Sequence, residues 1–266
     1  MMLRLCRRLF SQDLLFSSKD GIATLTFNRP ATKNALGKQM VADFLQHLHD
    51  LKYDQSARVL ILNSSVPGFF CVGADLKERI EMQPEEVVKF VDSLRSSFTN
   101  LENLPIPTIA CIEGFALGGG LEVALACDMR IASKTSTLGL PETALAIFPG
   151  AGGTQRLPRI VGLAKAKEMI FTAQRYTPDQ AVQFNLINEA VDDARARTQE
   201  LAELIASNGP VGVKMAKKAI TLGFDADIQS GLEIEKLCYA QVLPTEDRME
   251  ALRAFKEKRK PKFKGC

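Results

Sequence analysis

Short, uninterrupted apolar runs alternate with longer stretches in which apolar residues recur every three to four positions, and this alternation limits the fold more than any other feature of the chain. Ile22–Phe27 reads as a strand closed by Asn28, Arg29 and Pro30. Leu36, Met40, Phe44, Leu48 and Leu51 then mark an amphipathic helix, and residues 59–62 a buried strand. Val87, Val91, Leu94, Phe98 and Leu101 mark a second amphipathic helix, stopped by Pro105 and Pro107. Thr108–Ile112 is another strand, which leads through Gly114 into Gly118, Gly119, Gly120 and a helix-forming LEVALACD segment. Residues 129–132 form a strand again. Strand and helix in this alternation predict an α/β layered domain. Beyond about residue 194 the strands stop, and 195–207, 211–222, 227–243 and 246–259 all read as helices.

With 266 residues, 46% of them hydrophobic, the chain has enough apolar matter to offset its conformational entropy. It has no run of roughly 18 apolar residues, so no helical membrane span is expected. The net charge of +3 is uninformative until it is divided. Residues 1–10 carry +3 and 253–266 carry +6, which leaves −6 for 11–252. The first ten residues combine Arg4, Arg7 and Arg8 with Leu and Phe and have no acid, the composition of a mitochondrial presequence, and Arg8-Leu9-Phe10 before Ser11 resembles a matrix-peptidase cleavage site. None of the six cysteines forms a CxxC pair, and His47 and His49 point to different sides of a helix, so no metal site is expected.

A P-loop, a GxGxxG fingerprint after the first strand and a GxSxG elbow are all missing. Three junctions stand out instead: 70–76 around Gly73-Ala74-Asp75, 118–122 with three glycines before Leu121-Glu122, and 139–142 ending in Glu142 ahead of the glycine-rich 149–154. Glycines that open a helix let another group approach the backbone, and the first N–H groups of a helix lack internal partners. Such N–H groups can hold a developing oxyanion, although a tight strand-to-helix turn would explain the glycines equally well. Glu122 and Glu142 could be ordinary helix-start acids. Set in apolar surroundings beside glycine loops, they could equally be a pair with raised pKa, suited to acid–base work.

The segments 116–122, 139–143 and 149–157, with Gly73-Ala74-Asp75, Asn28-Arg29-Pro30 and Asn34-Ala35-Leu36 in the same order, resemble the crotonase (enoyl-CoA hydratase/isomerase) superfamily over roughly residues 13–266. The resemblance implies a ClpP/crotonase-like spiral of β-β-α units at 11–194, after a presequence at 1–10. A C-terminal helical region at 195–266 would build homotrimers, usually paired into hexamers. It implies that the N–H groups of Ala74 and Gly119 form an oxyanion hole for an acyl-CoA thioester. Glu122 would be the base that activates water and Glu142 the proton donor. Val72, Gly73, Asp75, Lys77 and Gly118 would contact the substrate or its CoA. Family members of other activities often change one of the two glutamates, so retention of both implies hydration.

The implied protein is therefore a mitochondrial-matrix enoyl-CoA hydratase of fatty-acid or branched-chain amino-acid degradation. It would need no metal or redox cofactor, and coenzyme A would arrive only with the substrate. Methylglutaconyl-CoA, of leucine degradation, is an alternative substrate. RNA binding or scaffolding is an alternative of another class, because some of the family's members carry a row of lysines on the first amphipathic helix. Here that row reads Lys38, Ala42, Gln46, which argues against RNA, since phosphate binding needs several charges on one face. A glycosidase using the same two carboxylates is disfavoured by the absence of Trp and the presence of only three Tyr for sugar stacking. Val72 stands where the family usually has Ala or Ser, with either the CoA path or the core as its destination.

Overall fold

The computed structural model describes residues 11–266, so the expected presequence at 1–10 lies outside the described residues. Chain order begins with β1 (Leu14–Lys19), β2 (Ile22–Phe27), α1 (Lys38–Tyr53), β3 (Val59–Ser64), β4 (Phe69–Cys71), α2 (Leu76–Ile80) and α3 (Pro84–Glu102). It continues with β5 (Thr108–Ile112), β6 (Phe115–Leu117), α4 (Gly119–Leu125), β7 (Met129–Ser133) and β8 (Thr137–Gly139). A 3₁₀ turn at Glu142–Leu145 precedes α5 (Gly153–Val161), α6 (Leu163–Thr172), β9 (Arg175–Tyr176), α7 (Pro178–Gln183) and β10 (Glu189–Val191). Four helices close the chain: α8 (Ala194–Ala206), α9 (Pro210–Phe224), α10 (Ile228–Val242) and α11 (Glu246–Lys256).

Two sheets run side by side along the fold. The larger has the order β1-β2-β3-β5-β7-β10 and is parallel except for the β1–β2 hairpin. The smaller has the order β4-β6-β8-β9 and is parallel through its first three strands. Each turn of chain thus lays one strand in the large sheet and the next in the small one before a helix returns it: β3 then β4, β5 then β6, β7 then β8. This is the β-β-α spiral.

The apolar runs of the large sheet are continuous because both faces are covered. Leu60 and Leu62 point into the main core, whereas Val59 and Ile61 join Ile109, Cys111 and Ile131 on the opposite face. That second face is closed by Ala194, Ala202 and Ala206 of α8. Its alanines let the helix lie close to the strands, so the first of the four C-terminal helices completes the core of the α/β body. Beyond it, α9 and α10 form a hairpin whose helices approach at Gly223 and Gly231, where a Cβ on Gly223 would lie 3.5 Å from the Gly231 Cα. Lys217 anchors α9 to the body through Asp128 (2.8 Å) and the Ile106 carbonyl (2.9 Å). The basic tail folds back along α11, where Asp247 accepts from the Lys264 and Gly265 N–H groups and Glu250 pairs with Arg259 at 2.6 Å.

The first amphipathic helix begins at Lys38 rather than at Leu36. Leu36 instead forms a parallel bridge to Ala74, with its N–H donating to the Gly73 carbonyl (2.8 Å) and its carbonyl accepting from the Asp75 N–H (3.0 Å). Three of the small-sheet strands, β4, β6 and β8, have only three residues each. That is too short for a period-two pattern to show in the sequence.

Candidate active site

The parallel pairing β4-β6-β8 brings three strand ends into neighbouring positions, so the loops that follow them converge. The first loop carries Val72-Gly73-Ala74, the second Gly118-Gly119 and the third Pro141-Glu142. With Glu122 and apolar residues of α3 and of the loop around 145–151, they line one cleft with a cavity of about 100 Å³.

Gly73 and Gly118 have positive φ (93° and 54°), a region that glycine enters without steric cost. A Cβ on Gly73 would lie 3.0 Å from both the Gly119 nitrogen and the Leu117 carbonyl oxygen. A Cβ on Gly119 would sit 3.6 Å from the Ala74 nitrogen, so the Ala74 and Gly119 amides are close neighbours. Neither N–H donates to an acceptor among the described residues. Gly119 is the first residue of α4, where an N–H has no helical partner. Ala74 is flanked by the two bonds of the Leu36 bridge, which hold its backbone while leaving its own N–H open. The result is a pair of preorganised donors.

Asp75 is only 5% exposed, and its side chain is fully engaged. It caps α2 by accepting from the Lys77 and Glu78 N–H groups (3.0 and 3.3 Å) and pairs with Arg29 at 2.8 Å. Arg29 reaches on to Glu78 (3.1 Å) and the Ala35 carbonyl (2.9 Å). Asn34, fully buried with φ +58°, donates to Ser64 and to the Phe69 and Phe70 carbonyls. These residues fasten the donor loop. The Asp75 carboxylate thus serves to hold the donor loop that carries Ala74. Lys77 points into solvent and does not line the cleft, whereas Val72, Gly73 and Gly118 do. Val72 thus faces the cleft and not the core.

Glu122 lies in the first turn of α4 and is 4% exposed. Its Oε1 accepts from the N–H groups of Ala151 (2.9 Å) and Gly153 (2.8 Å). Burial raises its pKa, and the two N–H groups, Arg156 and Arg95 oppose the rise by favouring the charged form. A Cβ on Gly153 would come within 2.9 Å of this carboxylate, which explains the glycines after Pro149. Glu142 opens the 3₁₀ turn, and its Oε2 is buried without a hydrogen-bond partner among the described residues. Burial, and then the neighbouring Glu122, push its pKa up to about 7. The two carboxyls are thus distinguished by environment: one is held by donors that favour the carboxylate, the other is bare and titrates near neutrality.

The raised pKa of Glu142 carries a stability cost with a definite sign. The folded state keeps this proton to about pH 7, whereas the unfolded chain releases it near 4.5. Stability therefore declines as pH rises between these values, by up to about 3 kcal/mol above pH 7. Glu142→Gln, neutral at every pH, is expected to melt higher than the parent at pH 8 and no higher at pH 4. Thermal melts at the two pH values check this.

The sequence reading did not anticipate the rest of the lining: Arg79 of α2, Val91 and Leu94 of α3, and Leu145, Ile147 and Phe148 after the 3₁₀ turn. The helical period does place Val91 and Leu94 on one face, but not which face meets the cleft. No group of three or more metal-binding side chains occurs among the described residues. No helix among them is long and apolar enough to cross a membrane.

The Enoyl-CoA hydratase/isomerase family profile matches residues 17–266. The chain is 50% identical to the Arabidopsis thaliana "Probable enoyl-CoA hydratase 2, mitochondrial" over 253 residues, covering 94% of this chain and 84% of that one. It is 48% identical to the human "Methylglutaconyl-CoA hydratase, mitochondrial" over 251 residues, covering 92% and 74%. The crystal structure of an enoyl-CoA hydratase from Bacillus anthracis superposes with a TM-score of 0.93 at 43% identity, covering 96% of this chain and all of that one. The spiral of β-β-α units, the paired open amides and the two buried carboxyls accord with these likenesses: the chain belongs to the enoyl-CoA hydratase/isomerase family.

Proposed function

We propose that the protein hydrates short or branched 2-enoyl-CoA thioesters. The observation that carries this reading is the placement of Glu122 and Glu142, in unlike environments, in one cleft with the open Ala74 and Gly119 amides. The thioester oxygen accepts from the two N–H groups, which polarises the C2–C3 double bond. A water held between the carboxyls loses a proton to Glu122 as its oxygen bonds to C3. The electron pair moves through C2 to the thioester oxygen, and Glu142 delivers its proton to C2. Each open amide then contributes about 3 kcal/mol to the enolate-like transition state. The cycle closes when the proton on Glu122 returns to Glu142 by way of solvent, so it consumes only water and enoyl thioester and involves no metal or redox cofactor.

In this reading the protein works in the mitochondrial matrix, which the basic leader and the mitochondrial labels of the relatives support. It assembles as a trimer or hexamer. Ile220, Phe224, Ile228, Leu237 and Tyr239 of α9 and α10, each more than half exposed, are the kind of surface that association covers. RNA is not a partner, in keeping with Lys38 being the one cation in its row and paired with Glu86 at 3.3 Å.

The test is loss of enoyl-thioester absorbance with crotonyl-CoA and branched 2-enoyl-CoAs across pH. Hydration is expected, and kcat/KM is expected to fall on the alkaline side with an apparent pKa near 7, since the proton donor is spent above that value. Failure to hydrate any member of the panel rules the reading out. An activity that rises through pH 7 reverses the roles of the two glutamates.

A further inference from the structure

The loop that holds Glu122 is itself gripped by two arginines. Arg95, on α3, donates through Nε and Nη2 to the Gly150 carbonyl at 3.2 and 3.0 Å. Arg156, on α5, donates through Nη1 to the Ala151 carbonyl at 3.2 Å. The Gly150 carbonyl and the Ala151 N–H belong to one peptide group, and that N–H donates to Glu122 Oε1 at 2.9 Å. A continuous chain thus runs from the Arg95 guanidinium through one peptide to the carboxylate. The second donor to Oε1 is the Gly153 N–H, at 2.8 Å. Its peptide carbonyl, that of Gly152, accepts from the Gln155 and Arg156 backbone N–H groups and not from a guanidinium.

The two arginines differ in how much charge they have left to give. Arg156 places Nε and Nη2 on one oxygen of Glu102, at 3.1 and 2.7 Å. Arg95 gives only Nη1 to an acid, Asp92, at 2.6 Å, and turns its other two donors to the loop. Val91, four residues before Arg95 and so on the same face of α3, backs onto the same point: a Cβ on Gly150 would lie 3.1 Å from Val91 Cγ1. The helix therefore meets the loop at Gly150 with both an apolar contact and a charge. Glu142 and Arg79 line the same cleft as Glu122. The strands β4 and β6, which pack against α4, bring no charged residue, and the Cys71 thiol of β4 is neutral because burial pushes it up to about 12. Arg130 sits at the far end of α4, on the Ala124 and Cys127 carbonyls.

A charged donor polarises the group that receives its hydrogen bond and strengthens the next bond in line. We propose that Arg95 is a positioning residue for the base: acting through the Gly150–Ala151 peptide, it polarises the N–H that holds Glu122 Oε1 and so fixes the carboxylate in place. This deepens the hydratase reading above and rests on it. With Oε1 held by two N–H groups, Oε2 is the oxygen left to take the proton of water. Burial works against ionisation of Glu122, and the nearby charges of Arg156 and Arg95 work for it. An arginine that only props the loop acts equally at every pH. One that polarises the N–H acts on the acid side of the pH profile, where Glu122 takes up its proton.

The test is kcat/KM for crotonyl-CoA across pH in the parent, Arg95→Met and Asp92→Asn. Arg95→Met removes the charge and is expected to move the acid limb to higher pH. On that limb kcat/KM is expected to fall by about 3- to 10-fold, with the alkaline limb near pH 7 kept. Asp92→Asn keeps the donors to Gly150 and removes the acid that offsets the charge of Arg95, so the acid limb is expected to move the other way. A role confined to packing would lower kcat/KM evenly across pH in Arg95→Met and leave Asp92→Asn like the parent, which overturns the proposal. A measure independent of activity uses protein labelled with carbon-13 at its glutamate carboxyls. The signal missing from Glu122→Gln is titrated in the parent and in both variants, and its midpoint is expected to move in the same two directions. A midpoint common to all three overturns the proposal, and where hydration is intact the hydratase reading survives. Failure of the parent to hydrate any enoyl-CoA overturns the hydratase reading and the role of Arg95 with it.

Discussion

Replacing either Glu122 or Glu142 by Gln is expected to lower kcat for enoyl-CoA hydration by about 10²- to 10⁴-fold, the range of a lost general acid or base. Glutamine keeps the shape of each side chain but can neither take the proton of water nor give one to C2. KM is expected to change little, because the thioester oxygen still meets Ala74 and Gly119. The two losses do not add: one carboxyl removes the proton that the other must regenerate, so the double variant is expected to fall little below the worse single one. Glu122→Gln should also perturb Glu142, whose proton is held partly by the charge of Glu122. Its residual activity is therefore expected to lose the alkaline limb near pH 7 and to show one at lower pH. Steady-state rates across pH check all of this, and full activity in either single variant would falsify the mechanism.

Gly73→Ala is expected to cost a comparable amount by a different route. Its φ of +93° strains any L side chain, and the new Cβ would stand 3.0 Å from the Gly119 nitrogen, in the gap between the two open amides. Either the loop shifts and misaligns the Ala74 N–H, or the methyl obstructs the Gly119 N–H. The loss of one such donor lowers kcat by about 10²- to 10³-fold. Unlike the glutamate variants, Gly73→Ala is expected to weaken binding of a saturated acyl-CoA as well, because the donors already meet the thioester oxygen before reaction. Parallel measurement of kcat and of saturated acyl-CoA inhibition separates the two kinds of loss.

Much of this site was legible before any coordinates. Glu122 follows three glycines that open a helix, and Glu142 follows a glycine-proline junction; both signals are local in sequence. The four C-terminal helices were readable because each is long enough for its period to show. The three-residue strands β4, β6 and β8 were not, and they are what set the junctions side by side. Asp75 caps a helix and pairs with Arg29, 46 residues away in sequence, a partner that no local pattern names. Lys77 and Arg79 differ by two positions on a five-residue helix, so propensity cannot tell which faces the cleft. The Asp75 cap and the Arg29–Glu78 pair decide it.

By itself, then, the sequence determined the chemical groups and the layered α/β class. Glycine positions, apolar periods and capping residues are short-range properties, expressed wherever such a segment folds. Only the tertiary structure decided that the two open amides are neighbours, that one glutamate is held by donors while the other is left bare, and that Arg79 borders the same cleft. Those outcomes depend on parallel pairing between strands far apart in the chain and on burial, which changes the proton affinity of a carboxyl without changing a residue.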